Sequence, residues 1–184
     1  MFSSSVLGWL LLGVLVFWAV GAYNRLVRLR SSALQAFGAL DAQLLRHAEV
    51  VQSVVSGVGS AALPLTDAAT EALAALQAAS TQFAASLAAA RAQALNREAM
   101  AALAAARNVL QMAWQNVQDL CGPLDGADAA GTESPSQRWE QWATQSQQAC
   151  VPFNDAVARH NTAVSQFPAL LLARLFGFKI AGSL

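Results

Sequence analysis

Two histidines, two cysteines and eleven carboxylates are the groups with which this 184-residue chain could do acid–base, nucleophilic or metal chemistry. A catalytic site needs several such groups to converge. His47 and His160 each fall on an apolar stripe of helical spacing. There a histidine is either a ligand or pH sensor, or a buried flank residue with one hydrogen bond. The second reading is preferred. Cys121 and Cys150 make no CxxC, no haem-attachment motif and no zinc pattern. They read as buried thiols in a reducing compartment, or as a disulfide if the domain faces outward. No Glu-x-x-His pair of the kind a di-iron bundle uses occurs. Nor is there a phosphate-cradling glycine loop or a GxSxG. An enzyme, a bound metal and a cofactor are therefore not expected. Eleven basic residues balance eleven acidic ones. That gives nucleic-acid binding no electrostatic support.

The basic residues are unevenly placed. Arg25, Arg28 and Arg30 fall within eight residues, directly after 6–22, a run of seventeen residues without a charge. A run of this length can cross a bilayer, whose core needs about 20 residues and tolerates roughly 17–25. Trp9, Trp18 and Tyr23 suit the water–lipid boundary. Residues 1–5 are then a flank and 6–22 an uncleaved transmembrane anchor, rather than a signal peptide cut before Tyr23. No basic residue precedes the span and three follow it. The expected topology is N-terminus out, with a cytoplasmic body.

Alanine dominates that body, residues 23–174, and alanine is the best helix former. Phe37, Leu40, Leu44, Val51, Val54 and Val58 recur at threes and fours and predict a helix over 23–57, continuous with the anchor. A second helix, 67–94, carries Ala69, Leu73, Leu76, Ser80, Phe83, Leu87, Ala90 and Ala94. A turn near Leu95-Asn96, with Asn96 as cap, separates it from a third, 96–121, carrying Leu103, Ala106, Leu110, Ala113, Val117 and Leu120. Residues 122–135 have loop composition. A fourth helix, 136–174, carries Trp139, Trp142, Ser146, Cys150, Phe153, Val157, His160, Val164, Phe167 and Leu171, with Pro152 expected to bend it or mark its start. Trp139 and Trp142 form either an exposed docking patch or the cover of a bundle end. The expected fold is all-α: a transmembrane helix leading into an antiparallel, up-and-down four-helix bundle.

In such a topology the fourth helix returns to the bilayer. The closing segment, including the tail 175–184, is apolar and aromatic with only basic charges: Phe167, Pro168, Arg174, Phe176, Phe178 and Lys179. It suits an interfacial segment, or a strap packed on the first helix near Tyr23 and Leu26.

These features together resemble the LemA family. The resemblance lies in the N-terminal span and in Tyr23-Asn24-x-Leu26-Val27-x-Leu29-Arg30. It continues in Leu40-Asp41-Ala42-Gln43-Leu44-x-Arg46 with Val50-Val51 and Val54-Val55, and in Ala90-Arg91-Ala92-Gln93-Ala94. It closes in Asn154-x-Ala156-Val157, Asn161-Thr162-Ala163-Val164, Phe167-Pro168 and Leu175-Phe176-Gly177-Phe178. The chain departs from the family at Phe153 and His160, where Tyr is usual, at His47, where Arg is usual, and at Gln52-Ser53. The resemblance implies a four-helix, up-and-down bundle anchored in a bacterial inner membrane, and no defined biochemical activity.

The expected function is a non-catalytic scaffold that self-associates or gathers other membrane proteins. Its contacts would be lipid headgroups at the collar of Trp18, Tyr23, Arg25, Arg28 and Arg30, and partners at the aromatic tail. Alanine-rich seams suit association between copies. The alternative is an exported bundle that binds a small apolar ligand and carries a Cys121–Cys150 disulfide.

Overall fold

The structure, a computed structural model, describes residues 4–60, 66–121, 134–166 and 169–184. Among these, every regular element is helical: α1 (Ser4–Leu44), α2 (His47–Ser60), α3 (Asp67–Ala92), α4 (Arg97–Cys121), α5 (Pro135–Ser165) and α6 (Ala169–Leu175). Residues 122–133, most of the expected loop, lie outside the described residues, as do Phe167 and Pro168.

α1 is 41 residues long, about 61 Å at 1.5 Å per residue. It has two halves of opposite character. Its most apolar window is long and apolar enough to cross a membrane and is only 6% buried. Leu7, Trp9, Leu11, Val14 and Phe17 all face outward, Phe17 at 84% exposure. From Leu26 onward a single stripe goes under: Leu26, Ala33, Phe37, Leu40 and Leu44 are all buried. No break separates the halves.

Sequence chemistry sets the helix ends. Thr66 caps α3, its hydroxyl accepting from the Ala69 N–H at 3.2 Å. Asn96 caps α4, its Oδ1 accepting from the Glu98 N–H at 2.8 Å and the Ala99 N–H at 3.3 Å. Ser134 and Gln137 form a reciprocal capping box at the start of α5, with Pro135 as its first residue. α5 then runs through Pro152, so Pro152 neither starts nor ends the helix. Val151 and Pro152 face solvent, where water can satisfy the carbonyl that proline leaves unbonded.

The expected helix 23–57 is in fact two. Leu45 and Arg46 form a turn between α1 and α2 although neither glycine nor proline is present. Side chains take the carbonyls that the turn releases. The Trp142 indole N–H donates to the Gln43 carbonyl at 3.0 Å, and His47 Nδ1 lies 2.6 Å from the Leu44 carbonyl. The expected helix 136–174 also divides. α5 ends at Ser165, where Gln166 takes an extended conformation, and α6 begins at Ala169.

α1 and α5 form one closely packed pair and α3 and α4 the other. α1 and α5 run antiparallel: Leu26 clusters with Ala163 and Val164, Phe37 meets Phe153, and Gln43 meets Trp142. α3 descends beside them, with Asp41 paired to Arg91 at 2.6 Å and His47 against Phe83. The backbones of α4 and α5 stay further apart, and large side chains fill the seam. Trp114 and Trp139 stack with centroids 4.4 Å apart and planes within 9°. Trp114, rather than its neighbour Ala113, joins Leu103, Ala106, Leu110 and Val117 on the buried face of α4. Trp139 and Trp142 are each only 6% exposed, so they are core and not a docking patch. At the foot, near Leu26, a separate small core holds only α1, α5 and α6 side chains with Phe178.

Candidate functional site

The foot of the molecule is where the expected site residues meet. α6 buries Ala173 and turns Leu171 (61% exposed) and Leu175 outward, the reverse of the expected placement of Leu171. Gly177 then reverses the chain. Its φ is +72°, a conformation that costs any residue with a Cβ. The Phe178 N–H reaches back to the Ala173 carbonyl at 2.9 Å, closing the last turn of α6.

Tyr23 gathers the aromatic part of this segment. Its ring centroid lies 4.9 Å from Phe176 and 6.0 Å from Phe178. Trp18 and Arg25 line a shallow groove of about 500 Å³ beside this cluster. One wall is the α1 face Val14, Phe17, Trp18, Gly21, Ala22 and Arg25. The other is Ala163 and Gln166 at the end of α5 with Ala169 of α6, and Leu26 also contributes. Arg28, Arg30, Arg174 and Lys179 are exposed at the same end. No carboxylate side chain occurs before Asp41 or after Asp155, where Arg25, Arg28, Arg30, Arg159, Arg174 and Lys179 give six cations. Among the described residues the one ion pair is Asp41–Arg91, away from the collar.

Beyond Gly177 the chain does not continue toward the apolar half of α1. It runs back along α5, held by two asparagines one heptad apart. Asn161 brackets Ala181: its Nδ2–H donates to the Ala181 carbonyl at 2.9 Å, and its Oδ1 accepts the Ala181 N–H at 2.8 Å. Asn154 does the same for Leu184, accepting its N–H at 2.9 Å and donating to its carbonyl. The spacings agree. Seven helical residues rise about 10.5 Å, and three extended residues span about 10 Å. Between the clamps, Gly182 lies against α4. A Cβ there would come within 2.8 Å of the Arg97 Cα and 2.9 Å of the Met100 Cβ.

Apolar periodicity does not reveal these clamps. Asn154 and Asn161 sit beside the buried stripe, not on it. A carboxamide offers one donor and one acceptor to a single peptide unit, and a pair of asparagines at i, i+7 was the available signal.

The two histidines are far apart. His47 packs against Phe83 and Trp142, whereas His160 lies eighteen residues further along α5 than Trp142, about 27 Å away. His47 must carry its proton on Nδ1, since the Leu44 carbonyl can only accept, and its Nε2 is buried without a hydrogen-bond partner. Burial lowers its pKa below the usual imidazole value, against the opposing pull of the Leu44 and Ser80 backbone. His160 Nε2 faces the Lys179 carbonyl at 3.3 Å, and its Nδ1 is buried and unpartnered. Burial lowers its pKa too, opposed by that carbonyl and assisted by the charge of Arg30. No group of three His, Cys, Asp or Glu side chains suited to a metal occurs among the described residues. Cys150 is a buried free thiol, with Arg107 Nη1 3.3 Å from its sulfur, and the Cys121 side chain lies outside the described residues.

Compared with known protein families, curated proteins and solved structures, the chain matches none of them.

Proposed function

We propose that this chain is a single-pass membrane protein whose body is a non-catalytic scaffold, similar in plan to the LemA family. One observation carries the reading. α1 passes without a break from a half with every face exposed and apolar to a half that buries one stripe in the body. Water does not tolerate a projecting apolar helix of this area, and lipid does. Arg25, Arg28 and Arg30 at the junction, with Trp18 and Tyr23, have the composition of an interfacial collar, and their charge favours a cytoplasmic body.

Above the foot, α1 with α2, α3, α4 and α5 make up an up-and-down four-helix bundle, its chain doubling back so that α6 lies at the membrane surface. Leu175, Phe176 and Ile180 would enter the headgroup layer and Arg174 and Lys179 would face phosphate. The work of such a body is to hold other copies, or other membrane proteins, along its sides. Val109 and Met112 on α4 and Val151 on α5 are exposed apolar residues of the body that can serve such contacts.

Membrane fractionation tests the anchor. The full-length chain should stay with the membrane pellet in alkaline carbonate, and release into the supernatant would refute it. Because Cys150 is buried, topology is better read from an added exposed thiol, Ala101→Cys. A membrane-impermeant maleimide should label it only after permeabilisation. Light scattering of the detergent-solubilised protein should give a mass above one chain, and a monodisperse monomer would remove self-association.

A further inference from the structure

We propose that the groove beside the collar is a binding site for one anionic glycerophospholipid, with an acyl chain along α1 and the phosphate at Arg25. The proposal rests on the membrane reading of α1 and adds to it a defined ligand.

The groove has the polarity of an amphiphile. Val14, Phe17 and Ala22 make its lower wall apolar, while Arg25 and Gln166 make its upper end polar. It also has the right length. From Val14 to Arg25 is eleven residues of helix, about 16 Å. That is half of a hydrocarbon core about 30 Å thick, hence the depth of one leaflet. Its volume, about 500 Å³, falls within the range of ligand pockets.

Gly21 makes the hollow. A Cβ at this position would meet nothing within 4 Å, so protein packing does not require glycine here. The missing side chain leaves the α1 backbone open opposite Ala163 and Ala169, where a hydrocarbon chain can lie. Charge selects the head. The two stretches that meet at the groove, before Asp41 and after Asp155, carry six cations and no carboxylate side chain, and Arg25 is the one that lines the groove. A phosphate accepts the guanidinium's paired N–H groups.

Native mass spectrometry of the full-length protein tests this, released from nanodiscs of mixed phosphatidylglycerol and phosphatidylcholine. The wild type should retain one phosphatidylglycerol per chain. Gly21→Leu, whose Cβ meets no atom within 4 Å, puts a side chain into the groove and should retain neither lipid. Arg25→Gln should reduce the preference for phosphatidylglycerol about fivefold, the worth of one interfacial charge. Arg46→Gln, which removes a cation just past the far end of α1 from the groove, should retain lipid as the wild type does. Equal retention by Gly21→Leu and the wild type would overturn the proposal, as would a wild type that carries no lipid. If that bare wild type still resists carbonate, the anchor stands and only the lipid site falls. If carbonate releases it, both fall.

Discussion

Asn161 and Ala181 are joined by two hydrogen bonds, one in each direction, so a side chain on α5 pairs with an extended strand as a neighbouring strand would. The segment that carries Ala181 has no strand partner of its own. Replacing Asn161 by Ala leaves a half-buried N–H and carbonyl without partners, at a cost of about 1–3 kcal/mol. Asn161→Ala should therefore lower the unfolding midpoint. It should also make residues 178–184 exchange amide hydrogens and yield to carboxypeptidase far sooner than α5 does. If the variant melts lower but the segment stays protected, the asparagine stabilises α5 by some other route.

Gly182 tests the same strap from the opposite wall. Any side chain must displace the Arg97 backbone or Met100, both closer than 3.0 Å to the added carbon. Gly182→Val should expel the segment from the α4–α5 seam, with a loss of about 1–3 kcal/mol, the usual cost of overpacking. Gly177→Ala should act differently. It costs about 1 kcal/mol by backbone strain alone, since a Cβ there meets nothing within 4 Å, and should leave the Asn161 pairing protected.

The turn between α1 and α2 predicts an effect of one atom. Trp142 donates its indole N–H to Gln43, whose carbonyl otherwise receives only the Arg46 N–H at 3.3 Å. Trp142→Phe keeps an aromatic ring against His47 and Phe83 but removes that donor. It should cost about 1–3 kcal/mol from the lost donor plus the smaller ring. Amide exchange should rise first at Leu45 and Arg46. Exchange that rises uniformly along α5 instead would show that ring size, not the hydrogen bond, dominates.

How much of this was readable beforehand depended on the range of the interaction. The apolar periods of α3 and α5 marked buried faces at Phe83, Leu87, Phe153 and Val157, because one residue in three or four must face the core. Asn96 and its turn were readable from local capping chemistry. The turn at Leu45 was not. Its causes, Trp142 and the pocket around His47, stand about a hundred residues away in sequence or depend on tertiary packing. A strap packed on the first helix near Tyr23 and Leu26 was one of two expected readings of the closing segment, and at the foot only α1, α5 and α6 meet with Phe178. Chain length shows how far a helix can reach, not where its partner stops. Of the expected site, the aromatic residues Tyr23, Phe176 and Phe178 do converge. The groove at Gly21 and the clamps at Asn154 and Asn161 depend on which faces oppose each other, which periodicity alone does not encode.

Acid should unfold this protein through its histidines. In the unfolded chain both titrate near 6.5, whereas burial places both below that value in the fold. The unfolded state therefore binds more protons between the two values, and stability rises with pH there. The histidine contribution is complete above about pH 6.5 and is lost as pH falls through the folded values. Charging His47 places a cation against Phe83 and Trp142, and charging His160 places one near Arg30. Urea unfolding at pH 7.5 and pH 5.5 should show a lower midpoint at the acid pH. His47→Gln, close in size and without a charge to gain, should flatten part of that difference, and His160→Gln a further part. His160 also touches the strap through the Lys179 carbonyl. Only His160→Gln should therefore alter how protection of residues 178–184 depends on pH. A pH dependence unchanged in the double variant would assign acid sensitivity to the carboxylates instead.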